Sequence, residues 1–294
     1  MRIRSQQTIR STVETRGIGF LTGADVVLRF QPAAPDHGIV FQRLDCPGAA
    51  PIPATIEYAV PRSRRTAIER DGVTVELVEH VLAALAGLQI DNVLVELDAP
   101  ETPGYDGSCL EAAEALLAAG IEKQATPRSR LVVGQTVSLH GTDGKSQLTA
   151  RPPVGDGLCI SYELDYGPDS PIAAENLTLR VTPETFVREL AFARTFVLES
   201  EVAALKAQGY GSRTTTRDLL VFGAAGVIDN EMRAADECVR HKILDCVGDF
   251  ALLGCDVAGQ FNASRSGHEL NRDVVQALKQ SHCCQDENPR SRAA

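Results

Sequence analysis

Two stretches of the chain repeat one pattern of apolar and polar positions. In the first, Leu77, Val81, Ala84, Leu85 and Leu88 recur at the spacing of one helical face, and Gly87 lies near its end. The segment from Asn92 to Leu97 reads NVLVEL, and its alternation predicts a half-buried strand. Asp106-Gly107-Ser108 then leads into a second helix over Cys109 to Ala119, closed by Gly120. In the second stretch, Val239-Arg240-His241 opens a helix with Ile243, Val247, Phe250 and Leu253 on its apolar face and Gly254 at its end. A strand is expected around Val257 to Ala263, then Ser266-Gly267-His268, then a helix over Leu270 to Leu278. His80 precedes Ser108 by 28 residues and His241 precedes Gly267 by 26, so the two stretches read as an internal repeat.

Each copy is expected to follow strands of its own, from Thr8 to Leu77 and from Leu131 to Val181. This predicts an α+β fold of two similar domains, each a β-sheet layered with two helices. The polar break Thr126-Pro127-Arg128-Ser129-Arg130 sets the boundary, giving domains over 1–126 and 127–280. Residues 281–294 are polar and poor in bulky apolar types, and a disordered tail is expected there. An approximate two-fold axis between similar domains brings His80 and His241 to one interface, where an active site is expected.

Composition narrows the function. With 44% hydrophobic residues the chain can build a substantial core, and a net charge of -10 argues against nucleic-acid binding. An anionic small molecule would need a local cluster of cations. Met1 to Glu14 carries no leader pattern, and no apolar run approaches the ~18 residues of a membrane span. A cytoplasmic protein without stable membrane insertion is expected. Eight cysteines include no CxxC pair, which predicts buried reduced thiols rather than zinc ligands.

The chemistry-bearing residues lie at the repeat. His241 and Asp245 are four apart, so a helix places both on one face, within reach of one zinc ion. His80 holds the matching place in the other copy and supplies a third donor. Three protein donors leave a position open for water, the mark of a catalytic zinc. Glu79 adjoins His80 and can take a proton from attacking water. His268, at a glycine-preceded helix start, can donate one, and Asp249, one turn beyond Asp245, can orient it. Gly17 to Gly23 lacks the third glycine of a dinucleotide loop and reads as a turn; Pro61-Arg62-Ser63-Arg64-Arg65 reads as a solvated loop.

Together, Val78-Glu79-His80, Ile90-Asp91-Asn92, Asp106-Gly107-Ser108, Ala193-Arg194-Thr195-Phe196, Asp236-Glu237, Arg240 to Asp245, Gly248-Asp249 and Ser266 to Asn271 resemble the UDP-3-O-acyl-N-acetylglucosamine deacetylase family. The resemblance implies zinc-dependent removal of the N-acetyl group in lipid A biosynthesis, with zinc on His80, His241 and Asp245. It implies Glu79 as general base, His268 as general acid, Asp249 as support for His268, Thr195 as a hydrogen-bond donor to the oxyanion or bound water, and Lys242 as a contact to substrate oxygen or phosphate. It further implies a monomer acting on a UDP-linked acylated amino sugar, with an insert over Phe196 to Phe222 lining an acyl passage through Phe196, Val197, Leu198, Val202 and Leu205. Leu21 stands where the family has a histidine, and Gly209 to Thr216 departs from its usual small and apolar types. Two other readings are a zinc amidohydrolase for another acylated amino sugar and a non-catalytic nucleotide-lipid binding homologue.

Overall fold

The computed structural model describes residues 3–286. Each half builds a sheet on one plan. In the first, strands Val13–Ile18, Asp25–Pro32, Val93–Leu97, Ile39–Arg43 and Ile52–Pro53 lie side by side in that order. In the second the order is Val137–His140, Gln147–Arg151, Asp256–Ser264, Leu158–Leu164 and Glu175–Val181, with Arg130–Val132 also pairing to Asp256–Ser264. In both, the strand latest in sequence is central, antiparallel to one neighbour and parallel to the other. Val95 thus sits between Phe30 and Phe41, and Phe261 between Ala150 and Ile160. The repeat read from the sequence is a repeat of topology. Among the described residues, no strand of 5–127 pairs with a strand of 130–264; the polar break takes in the end of Ile121–Pro127 and the start of Arg130–Val132.

Helices α1 (Glu79–Gly87) and α2 (Leu110–Ala119) belong to the first half, α3 (Glu237–Phe250) and α4 (His268–Asp286) to the second. α2 packs along Val13–Ile18, and α1 lies between α2 and α3. α3 rests on Leu158–Leu164 and on α4. α1 and α3 are therefore buried nearly all round; even Glu79, Glu237, His241, Asp245 and Asp249 are inside. Gly254, with φ +69°, ends the turn that follows α3, where a side chain would be strained.

The two central helices nearly touch. A Cβ added to Gly248 would lie 2.1 Å from the carbonyl oxygen of Glu79. At the other end of α1, Arg4 forks between the halves: its guanidinium binds Asp91, beyond α1, and Asp256, beyond α3.

Two boundaries differ from the sequence reading. α3 starts at Glu237, two residues early. α4 begins at His268 and reaches Asp286, so Ser281 to Asp286 continue a helix where a disordered tail was expected. That segment holds no glycine or proline to stop a helix already begun. Residues 287–294 lie outside the described residues.

Gly248→Ala is expected to force the helices apart and to cost about 1–3 kcal/mol, the usual range for overpacking. Thermal unfolding followed by circular dichroism should show a midpoint several degrees lower; an unchanged midpoint would contradict the close crossing.

Candidate metal centre and active site

The crossing of α1 and α3 gathers side chains far apart in sequence. His80 comes from α1; His241 and Asp245 come from successive turns of α3. The Nε2 atoms of His241 and His80 lie 3.3 and 3.7 Å from one atom, Asp245 Oδ1. The imidazole rings stand at 90°, with centroids 5.0 Å apart. One donor atom from each of the three lies within 4.8 Å of the others. His241 Nδ1 is 3.0 Å from the Ala193 carbonyl, which accepts its proton and leaves the Nε2 lone pair facing the cluster. Asp245 Oδ1 is buried and has no hydrogen-bond partner. An orphaned buried carboxylate oxygen is costly. A cation between it and two imidazoles would satisfy it, so the three residues fit a metal ion.

Charge is distributed to suit. Burial pushes His241 down to about 3, against the pull of Asp245, so it stays a neutral donor. Burial also disfavours the Asp245 carboxylate, but the positive charges of Lys242 and His268 outweigh this and hold its pKa well below the usual range. Lys242 Nζ donates to the other oxygen, Asp245 Oδ2, at 2.7 Å. Despite burial, that carboxylate raises the lysine well above its ordinary value.

Further ionisable groups flank the donors. Burial raises the Glu79 carboxyl, opposed by the nearby His268 and His80. Its Oε2 accepts from the Thr66 amide at 3.0 Å; its Oε1 lies 3.9 Å from His268 Nε2. His268 Nε2 is likewise 3.9 Å from Asp245 Oδ2, while its Nδ1 is 2.9 Å from Asp249 Oδ2. Burial alone would lower His268, but Asp249, Asp245 and Glu79 together raise it to about 9. Asp249, fully buried, also accepts from Thr66 Oγ1 at 2.5 Å and Asn271 Nδ2 at 2.7 Å. Glu79 Oε1 and His268 Nε2 thus lie next to each other beside the three donors.

The family model for LpxC, UDP-3-O-acyl N-acetylglycosamine deacetylase, matches residues 6–280. The chain belongs to the LpxC family. A UDP-3-O-acyl-N-acetylglucosamine deacetylase of Myxococcus xanthus is 37% identical over 98% of this chain and 90% of its own length. One of Syntrophotalea carbinolica is 35% identical over 95% and 89%. A bifunctional LpxC/FabZ enzyme of Chlorobaculum tepidum is 36% identical over 93% of this chain, which spans 64% of that longer protein.

In this LpxC-family chain, Glu79, His80, His241, Asp245, Asp249 and His268 form one cluster, and Lys242 joins it through Asp245. Thr195 sits on the turn that supplies the Ala193 carbonyl. Its amide donates to Gly107 O at 2.8 Å, and its neighbour Phe196 stacks edge-on to His241, centroids 6.2 Å apart. Sequence reasoning gave no role to Thr66, Asn271 or the Ala193 carbonyl. Asn271 lies three residues after His268, one helical turn, a signal that could have found it; Thr66 and a backbone oxygen offer no spacing to read. The basic run is an exposed loop, as expected, and its arginines have ion-pair partners. Arg62 and Arg65 both reach the Glu76 carboxylate, and Arg64 binds Glu201 of the insert. The turn expected over Gly17 to Gly23 spans Gly19 to Gly23, while Gly17 and Ile18 end a strand; buried Glu101 accepts from the amides of Leu21 and Thr22.

Replacing His80, His241 or Asp245 by alanine is expected to reduce bound divalent metal at least about tenfold in the purified protein, since two donors hold an ion far more weakly than three. Metal analysis by mass spectrometry checks this; undiminished metal in all three would remove them as ligands.

Proposed function

We infer that this chain hydrolyses the 2-acetamido group of a UDP-3-O-acyl-N-acetylglucosamine, a step of lipid A biosynthesis. Water enters, and acetate and a free glucosamine amine leave. Family membership supports the reaction, and the observation that carries the chemistry is the unpartnered Asp245 Oδ1 facing two imidazole nitrogens beside Glu79 and His268. The ion is zinc, which suits two imidazoles and a carboxylate, held by His80, His241 and Asp245. When bound, it supplies a Lewis acid that acidifies water and polarises the acetyl carbonyl.

The chain's own residues do the rest. Glu79 Oε1 takes the proton of the attacking water, while the Thr66 amide holds Oε2 in place. His268, protonated at Nε2, passes that proton to the departing amine; Asp249 holds its Nδ1 and keeps it charged. Thr195 hydrogen-bonds the oxygen on which charge develops. Lys242 presents a fixed positive charge to substrate oxygen or phosphate. The insert over residues 196–222 lines the acyl passage. On its helix, Glu199–Ala207, Val202 and Leu205 are half-buried, which leaves part of each to meet a lipid tail. The two sheets are the cores of domains over 1–126 and 127–280, and the enzyme works in the cytoplasm as a monomer. Leu21 in place of a histidine favours a second reading, another acylated amino sugar as substrate; side-by-side assays of the two substrates decide between them.

Glu79→Gln and His268→Ala are each expected to keep metal and fold and to lose about 10²–10⁴-fold in kcat, the usual range for a general acid or base. Acetate release gives the rate, and full activity in Glu79→Gln would remove Glu79 as base.

His268 is raised by its carboxylate neighbours, so it is protonated below its folded pKa and loses activity as pH rises through it. Asp249→Asn removes the closest of those charges. The alkaline limb of kcat should then move to lower pH; an unmoved limb would detach His268 from that limb.

A further inference from the structure

The Arg194–Glu237 pair lies outside the proton-transfer and donor groups and is almost completely buried, with side chains 5% and 0% exposed. Arg194 Nε donates to Glu237 Oε1 at 2.8 Å and Nη2 to Oε2 at 3.1 Å. The remaining guanidinium donors reach Asn230 Oδ1 and the Glu231 carbonyl. One more bond sets this pair apart from an ordinary structural tie. The backbone amide of Arg194 also donates to Glu237 Oε1, at 3.1 Å. That amide and the Ala193 carbonyl are two ends of one planar peptide group. The carbonyl end accepts from His241 Nδ1. Glu237 and His241 are four residues apart on α3, so both side chains lie on one helical face. A single peptide is thus pinned at one end by Glu237 and holds His241 at the other.

We propose that Glu237 is a positioning residue for the metal centre: it fixes the plane of the Ala193–Arg194 peptide, and through it the tautomer and orientation of His241. Arg194 neutralises the buried carboxylate and anchors the same turn to residues 230–231. This rests on the reading of His241 as a metal ligand. Outer partners of metal-bound histidines typically affect metal affinity about 10–100-fold.

The test compares two double variants as full-length apo proteins. Arg194→Met with Glu237→Leu removes the ion pair and the acceptor; a buried pair replaced by apolar residues of similar volume generally leaves a protein folded. Arg194→Met with Glu237→Gln removes the charges but keeps an oxygen for the peptide amide. Zinc affinity is read by competition with a chromogenic chelator, folding by thermal unfolding, and kcat and KM by acetate release. The Leu variant should bind zinc about 10–100-fold more weakly, with kcat lowered more than KM is raised, and the Gln variant should restore most of the affinity. Equal affinities in the two variants, or a Leu variant that does not fold, overturn the proposal, because the pair would then serve stability alone. His241→Ala runs alongside: if it binds zinc as tightly as the unaltered protein, the metal-site reading itself fails, a result distinct from either of these.

Discussion

Helices α1 and α3 come from different halves and approach so closely that the Gly248 position has no room for a side chain above the Glu79 carbonyl. Glu79 and His80 are supplied by one helix, and His241, Asp245 and Asp249 by the other. Long side chains could bridge a wider gap only with many rotatable bonds and little control of direction. Histidine and aspartate are short, so donors from two helices converge on one point only when the helices nearly touch. The topological repeat of the two sheets serves this crossing, since each presents its central helix toward the other.

Within the crossing, charge alternates over short distances. Asp245 is shared between Lys242 on one oxygen and two imidazoles on the other; Asp249 is shared between Thr66, Asn271 and His268. Asp245 Oδ1 is buried without a hydrogen-bond partner and faces the imidazoles. Burying so many carboxylates is unfavourable unless each is paired, and the pairing also fixes where a proton can reside.

Much of this was legible in the sequence because it depends on spacing. The helical face through Val81, Ala84, Leu85 and Leu88 and the alternation of NVLVEL identify the first unit; the same order of elements recurs around His241. A histidine and an aspartate four apart share one face of any α-helix that carries them. What lay hidden depends on no local period. Thr66 reaches Asp249 across 183 positions, a contact that only the folded arrangement of the two halves creates. The Ala193 carbonyl is backbone and has no residue identity to read. Arg62 and Arg65 look solvated until their partner, Glu76, is placed beside them by the strand pairing of Ala67 with Glu76. The helical start at Glu237 was missed because Asp236-Glu237-Cys238 shows no capping pattern to read; the Asp236 side chain makes no cap hydrogen bond.

Arg4 gives the crossing a counterpart. It grips Asp91 and Asp256 at the turns beyond α1 and α3, at the opposite end of α1 from Glu79. Two bodies joined at one point can swing; joined at both ends of a shared rod, they cannot open like a clamshell without breaking one joint. The two joints at the ends of α1 thus fix the angle at which the halves meet, and with it the direction from which each helix offers its side chains.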